Sequence, residues 1–440
     1  MALLHPSSSP AALPELNLFT VAPTQTAVES IYEVDIRPIS QISGGHAPVE
    51  FNLGGEGPDY IDLARSKLKV KLKIIHVDST SSALAKAEPA VPVNLALHSL
   101  WNQVDVSLGG RLMTQATGMY PYKSMIQTLL NYGKGAKDSQ LISQGFYYEK
   151  GKDMDTQTVA GNIAVAAKVP LFEESKVVDL EGPLLEDIFH MNRFLLNNID
   201  VSLKLYPSSA EFFIAASTAN KKYKTVLEEV VFKACMVRVS PGVILGHAKA
   251  LETRNALYPY TRCETKAYSI PKGTHSFNLD NVFQSSKPSR IVFGMVDSDG
   301  FNGDYKKNPF RFQHFDVTDV AVVVNGETVP GRPLKLNFDG TQRDYISGYL
   351  ALFEGTGRSG DDFGNGLTPA DYADGYTLFV YNLDPDLKRG KYLNLVKRAN
   401  VRLELRFSKA LPNTIKVVVY AEHPALFEVD RARNVMSGVV

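Results

Sequence analysis

The sequence predicts an all-β protein, a double jelly roll of two eight-stranded β-sandwiches with a few short helices in the loops. Three observations predict it. Many short stretches alternate apolar and polar residues with a period of two, the mark of a strand with one buried face. Clusters of Gly, Asn, Asp and Pro punctuate them as turns. The same order of unlike features then occurs twice along the chain, about two hundred residues apart.

The strands begin after an arm rich in Ser, Pro and Ala, which buries too little apolar surface to order alone. In the first strand Tyr32, Val34 and Ile36 alternate with Glu33, Asp35 and Arg37. KLKVKLKI (67–74) is the cleanest case, with Leu68, Val70, Leu72 and Ile74 on one face and four lysines on the other. A helix would scatter those lysines around its circumference. Further strands are expected at Val104–Leu108, Ile199–Leu205, Val230–Val239, Ile291–Val296, Val320–Val324, Tyr376–Tyr381, Val401–Phe407 and Ile415–Tyr420.

Helices are few. Tyr122, Met125, Ile126, Leu129 and Leu130 form a helical stripe, with Pro121 in the first turn and Gly133 at the stop. Ile346, Tyr349, Leu350 and Phe353 form a second stripe before Gly355. Ser240-Pro241 reads as a cap and first turn for a third helix over Val243–Leu251.

The duplication runs strand, glycine turn, helix, long excursion, alternating strand. Val104–Leu108 enters Gly109-Gly110 as Val320–Val324 enters Asn325-Gly326, a spacing of 216. Met125, Leu129 and Tyr132 match Ile346, Leu350 and Phe353 at a spacing of 221. NIDVSLKL (198–205) matches NVRLELRF (400–407) at 202. Unequal spacings place the length differences in loops, which tolerate them. The expected organisation is an arm over 1–24, a first jelly roll over 25–210, a second over 211–425 and a tail over 426–440, with the join near Pro207-Ser208-Ser209.

Composition narrows the function. The chain has 440 residues, is 44% hydrophobic and 21% charged, and balances 47 basic against 47 acidic residues. A protein that condenses nucleic acid by neutralising phosphates carries a basic excess, so specific nucleic-acid recognition is not expected. Two cysteines, Cys235 and Cys263, make no disulfide framework, and Cys235 reads as buried and inert. MALLHPSSSP lacks the pattern of a signal peptide, and no stretch approaches the roughly 20 apolar residues of a membrane span.

No reaction centre is legible. The nine histidines, His5, His46, His76, His98, His190, His247, His275, His314 and His423, include no strand-borne His-x-His pair, so no metal and no cofactor are expected. There is no Gly-x-Ser-x-Gly and no His-Glu-x-x-His. FNLGGEGPDY (51–60) is glycine-rich, but no helix follows whose N-terminus would cradle a phosphate. DSDGFNGD (297–304) spaces Asp297, Asp299 and Asp304 like calcium ligands but lacks the closing Glu, and it reads, like DDFGNGLTPADYADG (361–375), as a solvated acidic loop. The lysines of KLKVKLKI read as a solvated or salt-bridged face rather than a nucleic-acid surface. A glycan-binding or glycan-processing sandwich is the alternative class, but the single Trp101 sits in a strand-like run and reads as core. An unusual metalloenzyme is a third.

PVEFNLGGEGPDYIDL (48–63) leading into KLKVKLKI, NQVDVSLGGRL (102–112), YPYKSMIQTLLNYGK (120–134) and DSDGFNGDYKKNPFRFQHF (297–315) together resemble the major capsid proteins of Polinton (Maverick) elements and adintoviruses. The resemblance spans about residues 18–430. It implies a non-enzymatic double jelly-roll capsid protein whose homotrimers are pseudo-hexagonal capsomers. These tile an icosahedral shell beside neighbouring capsomers, with a single jelly-roll penton protein at the vertices, and the location implied is the virion, assembled inside the host cell. It also implies a packaging ATPase and a maturation protease encoded alongside. The trimer interface is expected from the long excursions, including parts of 134–195 and 355–375.

Overall fold

The structure, a computed structural model, describes residues 5–40, 42, 47–55, 57–78, 80–217, 221–283, 286–340, 343–385 and 394–438. Two sets of eight strands account for the body. The first set is β1 (Val28–Ile36), β2 (Val49–Leu53), β3 (Tyr60–His76), β4 (Trp101–Leu108), β5 (Arg111–Leu112), β6 (Val178–Pro183), β7 (Val201–Pro207) and β8 (Tyr223–Val239). The second is β9 (Ala256–Ile270), β10 (Ser276–Leu279), β11 (Arg290–Asp297), β12 (Val317–Val324), β13 (Glu327–Lys335), β14 (Leu378–Asn382), β15 (Val401–Phe407) and β16 (Ile415–Val429).

The first sandwich pairs a sheet ordered β1-β8-β3-β6 with one ordered β2-β7-β4-β5. The second pairs β9-β16-β11-β14 with β10-β15-β12-β13. Adding eight to every strand number of the first gives the second, and all these pairings are antiparallel. The interleaving of early and late strands in each sheet is that of an eight-stranded jelly roll. One continuous core joins both sandwiches and holds the expected inward residues. Leu68, Val70, Leu72, Ile74, Leu203 and Leu205 are buried in the first, and Leu403, Leu405 and Phe407 in the second.

The duplicated features occupy equivalent places. Val104–Leu108 lies in β4 and Val320–Val324 in β12. Each hairpin closes through two residues with positive φ, Gly109 and Gly110 (54° and 79°) and Asn325 and Gly326 (52° and 90°). That is the signature of a type I′ turn, whose twist suits the flanking strands. The last repeat is offset from the sequence match. Leu108 pairs with Val201 and Val324 with Val401, so the structural spacing is 200 rather than 202. A slip of two residues leaves every side chain on its own face, which is why alternation alone could not detect it.

The join is also placed differently. Residues 223–239 form β8, which hydrogen-bonds to β3 through Leu72↔Leu227 and Val70↔Val230 and to β1 through Val34↔Ala234. The first sandwich therefore extends past 210 to Val239, and the crossover is the helix α3 (Pro241–Ala250). The second runs past 425 in the same way. Residues 426–429 end β16, and residues 435–438 add to its edge through Val429↔Val435, so the described part of the tail docks on its own chain. Val439 and Val440 of NVMSGVV, Met1 to Leu4 of the arm, Glu56 of the glycine-rich loop and His46 lie outside the described residues.

Of the expected helices, α1 (Tyr120–Asn131) is buried along nearly its whole length. α4 (Ile346–Gly355) buries Gly348, Leu352 and Gly355 and leaves Ile346 and Leu350 about half exposed, unlike the predicted stripe. The reason is close approach. A Cβ on Gly348 would stand 2.4 Å from the Tyr372 hydroxyl, and one on Gly355 2.5 Å from Val380. Gly355 thus faces the strand β14 and Gly348 faces Tyr372, while Tyr349 and Phe353 of the expected stripe pack against the core from its edge. α3 buries none of its residues, and Ser240 makes no side-chain cap bond. A further helix, α2 (Ile163–Phe172), capped by Asn162, carries no pattern that the sequence reading used. β1 is an edge strand with Ile31 and Tyr32 exposed, so its expected buried face is only partly covered.

Candidate functional site

The sequence singled out several polar runs, and most are tied into the chain's own scaffold. Asp297 and Asp299 are engaged by a lysine: Lys307 Nζ lies 3.0 Å from Asp297 Oδ1 and 2.7 Å from Asp299 Oδ2. In the second acidic run, Asp371 shares a capping box with Thr368 and Asp374 pairs with Arg311 at 3.2 Å. Three of the four lysines on the wet face of β3 form cross-strand ion pairs, Lys67 with Glu33 (2.8 Å), Lys71 with Glu229 (2.7 Å) and Lys73 with Glu228 (2.6 Å). Three cations placed between carboxylates of the same sheet offer little net field to a polyanion.

FNLGGEGPDY links β2 to β3, and no helix follows it. Gly55 is required there, since a Cβ would stand 2.4 Å from the Ile199 amide nitrogen, and its own N–H donates to Asp200 Oδ1 at 2.7 Å. Among the described residues no group of three His, Cys, Asp or Glu side chains is placed to hold a metal ion. The histidines serve separate contacts. His98 is buried between the Tyr120 hydroxyl (2.8 Å) and Gln144 (2.9 Å), His247 meets the Tyr60 hydroxyl at 2.8 Å, and His423 meets Ser286 at 3.0 Å. Cys235 and Cys263 are both buried, and burial pushes both thiols up. Trp101 is fully buried and offers no sugar platform. Among the described residues no helix is long and apolar enough to cross a membrane.

What the fold does build is a seam between the two sandwiches. Tyr122 of α1 stacks on Phe301 and meets Phe310 edge-on. The excursion between β5 and β6 then crosses onto the second sandwich. The Tyr148 hydroxyl donates to Asp371 Oδ1 (2.6 Å), Asn308 Nδ2 donates to Glu149 Oε2 (2.8 Å), and Arg311 Nη1 lies 2.5 Å from Asp155 Oδ2. The Tyr376 hydroxyl donates to the Glu149 carbonyl at 2.8 Å. Parts of 134–195 and 355–375, expected to serve the trimer interface, are thus engaged within one chain. Sequence reasoning missed these residues because two loops meeting across 220-odd positions leave no local period.

A groove of about 980 Å³ lies beside the second sandwich, lined by residues including Val329, Leu334, Ala351, Phe379 and Tyr381, and no histidine or cysteine lines it.

Solved structures share this fold. PBCV-1 VP54, fitted into a reconstruction of the virophage Sputnik, superposes with a TM-score of 0.62 at 9% identity, over 96% of this chain and 99% of that one. A chain of the Sputnik virophage itself gives 0.65 at 10% identity, over 98% and 93%. The mavirus major capsid protein gives 0.56 at 12% identity, over 100% and 97%. The fold is a double jelly roll. At such identities the likeness is one of fold. In sequence, the chain is 27% identical over 431 residues to the uncharacterized protein F54H12.2 of Caenorhabditis elegans, covering 93% of this chain and 98% of that protein. No protein-family model matches.

Proposed function

We propose that this double jelly-roll chain is a structural major capsid protein of the Polinton (Maverick) and adintovirus type, acting without catalysis. Three copies close into a pseudo-hexagonal capsomer, and capsomers tile an icosahedral shell that forms inside the host cell. A single jelly-roll penton protein occupies the vertices.

The observation that carries this reading is the repetition of one strand order in two sandwiches fused over a shared core. Threefold symmetry applied to such a block places six like sandwiches in a ring, and a ring of six tiles a surface with like edges meeting. Closed symmetry limits growth of the capsomer itself. Likeness of fold to the mavirus major capsid protein supports the same reading. Balanced charge permits dense lateral packing, since 47 basic and 47 acidic residues leave no net self-repulsion.

Light scattering on the purified chain tests it. Three chains of 48.4 kDa give 3 × 48.4 = 145.2 kDa, and the expected mass is that value or a much larger shell. Electron microscopy of the same sample should show hexagonal tiles. A stable monomer at micromolar concentration would refute the trimer and the capsid reading with it.

A further inference from the structure

Three ionisable side chains meet, buried, where α1 packs on the connection between β6 and β7. Lys123 Nζ lies 2.5 Å from Glu186 Oε2 and 2.8 Å from Asp187 Oδ1, and all three side chains are less than a tenth exposed. The second oxygen of Asp187, Oδ2, accepts the backbone N–H of Cys263 at 2.8 Å. Burying one cation between two carboxylates leaves an excess negative charge with its desolvation cost unmet. Burial accordingly pushes the Glu186 carboxyl well above its ordinary range, with the Asp187 charge adding to the shift against the pull of Lys123. The two acids in turn hold Lys123 cationic in spite of burial. The pocket therefore combines an amine, a carboxylate with one oxygen anchored, and a second carboxyl that retains a proton near neutral pH.

We propose that Lys123 and Asp187 condense into an intramolecular amide cross-link, with Glu186 as the proton relay. The arrangement supplies each part of that reaction. A proton passes from the Lys123 ammonium to the Asp187 carboxylate through Glu186, turning an ion pair into a neutral amine and a neutral acid. The Nζ lone pair then adds to Asp187 Cγ and forms the C–N bond. The oxyanion develops on Oδ2, where the Cys263 N–H already points. Glu186 takes a proton from Nζ and delivers it to Oδ1, the Cγ–Oδ1 bond breaks, and water leaves. The balance is ammonium plus carboxylate giving amide plus one water, with no oxidant or reductant. Replacing a buried ion pair by a neutral amide also removes the desolvation cost that the pair carries.

The same molecule holds a contrasting pair. Lys168 Nζ lies 3.7 Å from Glu149 Oε1, also buried, and instead donates to the Pro92 carbonyl at 3.1 Å. Among the described residues no second acid hydrogen-bonds or ion-pairs with Lys168, so this pair lacks the relay and is expected to stay an ion pair.

Mass spectrometry of the full-length folded protein, then denatured and digested with trypsin, decides the matter. The expected result is a branched peptide joining the segments of Lys123 and Asp187, lighter than their sum by one water, with no cleavage after Lys123. Lys168 and Glu149 should appear in ordinary linear peptides. Asp187→Ala should abolish the branched species, and Glu186→Gln should leave most chains unlinked while Asp187 remains in place. Linear Lys123 and Asp187 peptides from the wild-type protein overturn the proposal whether or not either variant folds. A link from Lys123 to Glu186 overturns the assigned roles.

Discussion

Gly151 and Asp374 touch across the seam so closely that a Cβ on Gly151 would stand 1.1 Å from the Asp374 carbonyl oxygen. Gly375 faces the same spot, with φ of +110° and space for a Cβ only 2.4 Å from the Gly151 Cα. Two backbones meet here with no room for a side chain on either. Gly151→Ala must therefore push the excursion of the first sandwich off the second. Overpacking of this kind costs about 1–3 kcal/mol even where side chains can yield, and backbone yields less. A clear fall in melting temperature is expected. Gly135→Ala is the control, since a Cβ there meets nothing within 4 Å and the residue is helical. Equal melting temperatures for the two variants would contradict the seam.

Leu72 tests the sandwich core itself. It is fully buried on β3, between Val178 of β6 and Leu227 of β8 in the ladder. Leu72→Ala removes buried apolar surface and leaves a cavity, which together should cost about 2–5 kcal/mol. Chemical denaturation followed by intrinsic fluorescence reads the loss. Lys71→Ala, one position along on the wet face, removes only an exposed ion pair with Glu229 and should change stability little.

The contrast between Leu72 and Lys71 is also where the sequence was most legible. A period of two reports which face is wet, so KLKVKLKI and the paired strands at Val201 and Val401 could be read directly. The I′ turns at Gly109-Gly110 and Asn325-Gly326 were legible too, because positive φ selects residue type. Pairing partners were not. β8 is apolar enough to belong to either sandwich, and only its ladder with β3 assigns it to the first. The Lys123 pocket left no signal either. Lys123 stands in an amphipathic helix where a lysine reads as solvated, and Glu186-Asp187 reads as a polar loop. Their meeting depends on how α1 docks, which no window of sequence contains.

His98 makes stability depend on pH. Its ring is fully enclosed between Tyr120 and Gln144, and burial holds its pKa down at about 4, with Gln144 opposing the shift and His190 adding to it. In the unfolded chain it titrates near the ordinary value of roughly 6.5. Between those values the unfolded state binds the extra proton, so the stabilisation is present above about pH 6.5 and is lost as pH falls toward 4. By linkage the loss at about pH 5 is roughly 2 kcal/mol. His98→Gln keeps a polar group between the same partners and removes the titration. Its melting temperature should fall less than that of the wild type on going from about pH 7.5 to about pH 5. Part of the fall should persist, because burial depresses His423 to about 4 as well. Parallel curves for variant and wild type would exclude His98 as the source.

The arm separates folding from assembly. Residues 5–27 are exposed throughout, and they include Leu13, Leu16, Leu18, Phe19 and Val21 at 66–95% exposure. None of them joins the core, so their removal costs the fold no buried surface. Yet five large apolar groups within nine positions are unusual for a segment that stays in water. In the capsid reading they are covered by neighbouring capsomers after the trimer has formed. Deleting residues 2–24 should therefore leave the melting temperature unchanged and the trimer intact, while lowering the yield of larger shells. Hydrogen exchange supplies the complementary measurement, fast over 5–24 in isolated trimers and slowed in assembled particles. Slow exchange along the arm in free trimers, or undiminished shell formation by the truncated chain, would place the assembly contacts elsewhere on the block.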